Sequence, residues 1–147
     1  LAPAEVDHVG VKLKPIVFED LIKICELDGI PVAFMITLPD LNDLTLDLNG
    51  SLFPFGWAKL LWRLRKPRTE RVRVPLMGVR STLQGSRFAS LMAFMMIEHI
   101  RRSAVADYGA KRGEIGWILE DNGPMRSIAD IIGSEITKIY RIYERPL

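Results

Sequence analysis

The spacing of hydrophobic and polar positions changes period several times along the chain, and each change marks an element. Val6, Val9, Val11 and Leu13, with charges between them, give Pro3 to Lys14 helical spacing, and Pro15 stops it. Asp20 to Glu26 alternates and runs into Leu27-Asp28-Gly29, where Asp-Gly predicts a hairpin. The return strand, Ile30 to Leu38, is almost wholly apolar, which predicts burial on both faces. Pro39-Asp40 closes it, and the Asp/Asn/Leu-rich stretch Leu41 to Gly50 reads as a loop holding a helical turn. Ser51 to Lys66 is aromatic first and basic last. From Trp57 it has amphipathic helical spacing with Lys and Arg at its end, matching the helix dipole, and Pro67 ends it. Arg71 to Arg80 reads as a strand in which Pro75 removes one ladder donor, so a bulge or an opening of the pairing is expected there. Phe88 to Tyr108 is a helix, apolar over most of its circumference, and substantial burial is expected. Glu114 to Glu120 reads as a strand. Asn122 is a good N-cap for a helix with Pro124 in its first turn and Gly133 past its end. Ile136 to Tyr143, β-branched and aromatic, reads as a final strand.

This order predicts an α+β fold, an α/β sandwich with a mixed, mostly antiparallel sheet flanked by helices. One junction in it carries chemistry. The strand ending near Arg80 passes through the small, polar, basic loop Ser81 to Arg87 into a helix start. The first helical N–H groups lack intrahelical partners and the dipole favours an anion there, so a phosphorylated ligand is expected.

Composition narrows the field. With 147 residues, 48% hydrophobic and 26% charged, the chain is long and apolar enough for one domain with its own core. A net charge of +2 is too small to imply a polyanion by itself, which disfavours nucleic acid as a partner, although the basic residues are unevenly distributed. One cysteine, Cys25, and two separated histidines, His8 and His99, argue against a disulfide framework and a zinc site, and no metal is expected. Cys25 reads as a small buried hydrophobe and His99 as structural. Neither a signal peptide nor a run of about 20 apolar residues is present, so a cytoplasmic location is expected. The chain starts at Leu1 rather than Met, which suggests that the natural N-terminus is missing.

Two separated motifs resemble the GNAT superfamily of acyl-CoA-dependent N-acyltransferases. The family's diphosphate loop reads Gln/Arg-x-x-Gly-x-Gly/Ala after a bulged strand, and here Gln84, Arg87 and Ala89 occupy the matching positions of QGSRFA. The second motif is an Asn followed by small or apolar positions and a Gly: Asn122, Met125, Ile128 and Gly133, ahead of the ending KIYRIYERPL. The resemblance covers Leu21 to Leu147, with residues 41–66 as an inserted aromatic and basic helical segment. It implies acyl transfer from acetyl-CoA or another acyl-CoA to an amine. It implies that the pantetheine arm lies against Met77, Gly78 and Val79, and that the diphosphate sits on the loop amides of Gln84, Gly85, Ser86, Arg87, Phe88 and Ala89. Asn122 would bond the pantetheine, or serve as a helix cap, or both. Three departures stand out. Arg87 replaces a glycine, Ala129 occupies a position where the family often has a Tyr acid, and only one helix precedes the hairpin, which by the resemblance implies the C-terminal portion of a longer protein. A catalytically reduced protein that binds CoA or a partner without turnover is therefore the alternative.

Amine acylation needs a base for the ammonium and an acid for the thiolate. Glu120, expected at a strand end beside Asn122, is the candidate base, and Tyr140 on the expected last strand is the candidate acid. Tyr143 would lie on its opposite face. Asp40 and Asp43 lie beyond the hairpin, where an acceptor amine would dock, although loop solvation is the commoner fate of such residues. The basic run Arg63, Arg65, Lys66, Arg68, Arg71 and Arg73 reads as a solvated surface, as an attractor for CoA phosphates, or, with Phe53, Phe55, Trp57 and Trp62, as an interaction or membrane-surface module for nucleic acid or anionic membrane. Burial of those aromatics against the domain, or in a homodimer contact through residues 51–66, is the further expectation.

Overall fold

The computed structural model describes residue 11 and residues 14–145. The helix expected over Pro3 to Lys14 lies outside the described residues, apart from a helical Val11 and a 3-10 turn at Lys14–Ile16. The described chain separates into two compact units, up to Trp117 and from Ile118.

The first unit is built on a four-stranded sheet in the order β1 (Ile22–Leu27), β2 (Ile30–Pro39), β3 (Arg71–Val79) and β4 (Arg112–Ile115). β1 with β2 and β2 with β3 pair antiparallel, while β3 and β4 pair parallel. This is the mixed, mostly antiparallel sheet expected from the sequence. Asp28 and Gly29 both have positive φ, as a two-residue hairpin turn of the primed type requires. A parallel neighbour needs a crossover, and the helix Arg87–Tyr108 supplies it. Two short helices, α1 (Leu41–Thr45) and α2 (Gly56–Arg65), fill the connection from β2 to β3, so the long crossover helix is α3.

The core lies between α3 and one face of the sheet. Met96, Ile100, Ala104 and Tyr108 of α3 pack with Ala33, Met35, Val72 and Leu21. Leu21, Met35 and Met96 are at most 1% exposed. Each such side chain contributes about 1.5–3 kcal/mol of burial. Phe18 meets the ring of Tyr108 edge-on, with centroids 5.7 Å apart.

Two burial expectations change. In β2, Ala33, Met35, Thr37 and Pro39 are buried, as is Val32 near its start, whereas Phe34 is exposed and Ile36 and Leu38 are half-buried. In α3 the buried residues recur every three or four positions, and Phe88, Leu91, Met95 and Val105 remain exposed. One helix laid on one sheet face buries one stripe of itself and one side of the strands, however apolar the remainder.

The insert is held by charge. Asp40 caps α1, accepting from the Asn42 amide at 2.9 Å. The carboxylate of Asp43 accepts from Arg71 Nη2 at 2.7 Å and from Thr69 Oγ1 at 3.0 Å, and Asp40 lies 3.3 Å from Arg71 Nε. The Arg71 hydrogen bond holds Asp43 below the usual carboxylate range. Asp40 and Asp43 are thus tied to β3 rather than left as solvated loop residues. Asp47 accepts from Lys59 and Arg63 of α2, and Arg63 also donates to the Leu44 carbonyl at 2.6 Å.

The second unit holds one helix, α4 (Gly123–Ile131). Two strand expectations fail around it. The strand expected over Glu114 to Glu120 is β4 alone, ending at Ile115, and Glu120 lies in an exposed turn. Ile136 to Tyr143 forms no strand, and Ile136, Ile139, Tyr140 and Tyr143 are exposed. β-propensity is a preference for a paired, half-buried surface, and without a partner edge it produces no strand.

Candidate active site

The site begins where β3 loses a neighbour. Ile36 faces Leu76 and Leu38 faces Arg73, so Val74 and Pro75 together stand opposite Thr37. This is the bulge that the missing Pro75 N–H predicts. On the other edge, β4 pairs with β3 only from Arg71 to Val74. The last contact is the Gly116 amide donating to the Val74 carbonyl at 2.8 Å. The backbones are so close there that a Cβ at Gly116 would stand 2.7 Å from that oxygen. Beyond this point Met77 to Val79 has β2 on one side and no strand of the first unit on the other.

Alternation sorts the backbone groups at this opening. The Arg80 amide donates to the Val32 carbonyl at 2.8 Å, so Arg80 faces β2, and two residues earlier Gly78 faces it as well. Met77 and Val79 therefore turn their backbone groups to the open edge. The Val79 carbonyl accepts from Gln84 Nε2 at 2.9 Å, which leaves its N–H to the opening. Of the three residues named from the sequence, Met77 and Val79 face the gap and Gly78 is engaged with β2.

The loop that follows is internally bonded. Its 3-10 turn spans Ser81–Leu83. Gly85 has φ +76°, a conformation in which an L side chain is strained. Ser86 caps α3, accepting from the Ala89 amide at 3.2 Å and donating to the Leu83 carbonyl at 2.6 Å. The amides of Gln84 and Ser86 donate to Ser81 and Leu83 at 3.3 and 3.1 Å. Among the described residues, no acceptor faces the amides of Gly85, Arg87 and Phe88. No acidic residue stands in the first turn of the 22-residue helix, and Arg80 and Arg87 are exposed beside it. Three open amides, a positive dipole end and two guanidinium groups suit an anion with several oxygens. The sequence marks all six loop residues alike. That Ala89 is engaged by the cap was legible in Ser86, because a Ser N-cap takes the amide three residues on.

Glu120, Asn122 and Tyr140 belong to the second unit. Asn122 caps α4, its Oδ1 accepting from the Met125 amide at 3.2 Å. Arg126 Nη1 donates to the Glu120 backbone carbonyl at 3.1 Å, and the Glu120 side chain is exposed. Ala129 is buried on α4, so the position where a Tyr acid would stand carries a packed methyl group. Tyr140 is 58% exposed.

One feature was not legible in the sequence. A groove of about 640 Å³ runs between β1 and the first half of α3, lined by Cys25, Leu27, Leu83, Phe88, Met92 and His99 among others. It gathers residues from three separate stretches, which periodicity alone does not bring together. Burial raises the Cys25 thiol pKa, in keeping with a small hydrophobe rather than a nucleophile. Among the described residues no group of three or more His, Cys, Asp and Glu side chains is arranged to hold a metal ion, and no helix is long and apolar enough to cross a membrane.

No protein-family model matches the chain. Two curated relatives do: Protein YghO of Escherichia coli (strain K12), 46% identical over 143 residues, and Bacterial ceramide synthase of Caulobacter vibrioides (strain NA1000 / CB15N), 39% identical over 144 residues. The matches cover 95% and 98% of this chain but 35% and 37% of those proteins, so the chain spans about a third of their length. Among solved structures, a ribosomal-protein-alanine N-acetyltransferase from Brucella melitensis biovar Abortus 2308 superposes with a TM-score of 0.51, covering 92% of this chain and 79% of that one at 11% identity. AAC(6')-Iy, solved in complex with the bisubstrate analog CoA-S-monomethyl-acetylneamine, superposes with a TM-score of 0.55, covering 99% and 82% at 11% identity. The sheet order, the bulge at Pro75, the parting of β3 from β4 and these two superpositions agree: the chain has the fold of the GNAT acyl-CoA N-acyltransferases.

Proposed function

We propose that this chain transfers an acyl group from acyl-CoA to the nitrogen of an amine. The observation that carries the reading is the corner where β3 parts from β4 beside the open amides of α3. The gap would take the pantetheine arm along Met77 and Val79, and the amides of Gly85, Arg87 and Phe88 would take the diphosphate. In the transfer, the neutral amine attacks the thioester carbonyl carbon, the C–N bond forms and the C–S bond breaks. The Val79 N–H is the donor we assign to the developing oxyanion. Glu120, the candidate base, would take the ammonium proton, and Tyr140, the candidate acid, would protonate the departing thiolate and regain the proton that the nitrogen loses as the amide forms; both assignments come from strand positions expected in the sequence, which these residues do not occupy. A long-chain amine is the acceptor we favour. The support is the name of the ceramide synthase relative, since a ceramide is the amide of such a base with a fatty acid.

Calorimetry with acetyl-CoA and a long-chain acyl-CoA tests binding, and thiol release with a panel of amines tests turnover. Arg87→Gly and Asn122→Ala should change acyl-CoA affinity, and unchanged affinity in both would sink the site assignment. Glu120→Gln and Tyr140→Phe should lower kcat while leaving acyl-CoA binding intact. The buried Ala129 favours a second reading, binding without turnover. Acyl-CoA binding with no thiol release for any amine would select it.

A further inference from the structure

The aromatic insert does not bury its aromatics. Phe53, Phe55 and Trp62 are 84%, 76% and 73% exposed, and Trp57 and Leu61 more than half. On α2 the half-buried positions Gly56, Leu60, Arg63 and Leu64 form one face, with exposed Trp57 and Leu61 along its edge, and exposed Trp62 and Arg65 lie opposite it around the half-buried Ala58. The apolar side of this helix is therefore only half covered: Leu60 and Leu64 are partly buried, while Trp57 and Leu61 beside them, and Trp62 beyond, are left exposed.

The basic run is divided by the fold. Arg63 pairs with Asp47, Arg71 with Asp43 and Arg73 with Glu114. Arg65, Lys66 and Arg68 are exposed and have no acidic partner among the described residues. The three unneutralised cations follow directly on the exposed aromatics. Apolar and aromatic side chains flanked by free Lys and Arg match the boundary between acyl chains and anionic headgroups, where each kind of group finds its own solvent. A nucleic-acid surface would use the cations and stack bases on Phe53, but it has no use for the exposed aliphatic Leu52 and Leu61, which an acyl-chain boundary accommodates. We propose that residues 52–68 dock on an anionic lipid bilayer, with Phe53, Phe55, Trp57, Leu61 and Trp62 in the interface and Arg65, Lys66 and Arg68 on the headgroups. The proposal needs no acyl-CoA and stands apart from the transfer reading, although a long-chain amine would be met on such a surface.

The test is flotation of the full chain, without acyl-CoA, on phosphatidylcholine vesicles with and without phosphatidylglycerol. Binding is expected only with the anionic lipid, weakening as salt screens the headgroup charge. Replacing Arg65, Lys66 and Arg68 together by Gln should reduce partitioning on the order of 100-fold. Phe53→Ser with Trp62→Ser should do so by a similar factor. These side chains point away from the core, and far-UV circular dichroism checks that the variants fold. In the unaltered chain, brominated lipid should quench tryptophan fluorescence, a readout independent of any variant. Absence of binding to the anionic vesicles, binding unchanged in both variants, or concentration-dependent dimerisation abolished by the Phe53/Trp62 pair would overturn the proposal. Calorimetry with acyl-CoA on the same variants should be unchanged, which separates a failure here from a failure of the transfer reading.

Discussion

Two junctions in this chain lead a polar segment into a capped helix, Ser81 to Ser86 into α3 and Asp121-Asn122 into α4. Their local chemistry is alike: Ser86 accepts from the Ala89 amide at 3.2 Å, and Asn122 from the Met125 amide at 3.2 Å. They differ in what stands before and behind them. The first follows a nine-residue strand and opens a helix whose stripe from Ala93 to Tyr108 is buried against the sheet. The second follows a turn, since β4 ends at Ile115, and opens a nine-residue helix whose buried residues are Ile128 and Ala129. A cap fixes where a helix begins; a core fixes what the beginning is aimed at. An anion site needs both, because amides satisfy oxygens only if the surrounding fold holds their direction.

The largest effect should come from removing the anchor of the first junction. Met96→Ala deletes a side chain that is 1% exposed and should cost about 2–5 kcal/mol in urea unfolding. Gly85→Ala is next. At φ +76° a Cβ is strained, and the variant should lose about 1–2 kcal/mol and weaken acyl-CoA binding in calorimetry. Asp43→Asn tests the strut behind β3 and should cost about 1–2 kcal/mol. Because Arg71 depresses the Asp43 pKa, this contribution is present above the ordinary carboxylate range and is lost as pH falls through the lowered value. Wild type and variant should therefore converge in stability in acid. Asn122→Ala should cost about 1 kcal/mol. Hydrogen exchange should speed up in α4 and stay unchanged in α3; the same change in both helices would mean that the two junctions are one cooperative structure. Thr37→Val should have the smallest effect and the opposite sign. The Thr37 hydroxyl is buried without a partner among the described residues, and its removal should raise stability by about 1 kcal/mol or less in thermal unfolding.

Much of the first junction was legible in the sequence. Pro75 announced the bulge because proline lacks a ladder donor, and the small polar loop before a long apolar run announced the helix start. The open edge at Met77 and Val79 was an expectation borrowed from the family, and the register shift and early end of β4 account for it in backbone terms. Ile136 to Tyr143 misled for a definite reason. Its β-branched and aromatic residues record a willingness to pair, and pairing depends on an edge that a single segment cannot supply. The burial of β2 and α3 misled likewise, since an apolar residue is buried only where something covers it.

Local grammar was thus decided by the sequence alone: the hairpin at Asp28-Gly29, the caps at Ser86 and Asn122, the break at Pro75 and the positive end of α3. Each depends on the conformational limits and donors of a few neighbouring residues. Tertiary structure decided which amides stay open, which strand edge is uncovered, which members of the Arg63 to Arg73 run are neutralised, and that the aromatics of the insert face outward. Those outcomes depend on partners distant in the chain, and only the folded arrangement brings such partners into reach or leaves them out of it.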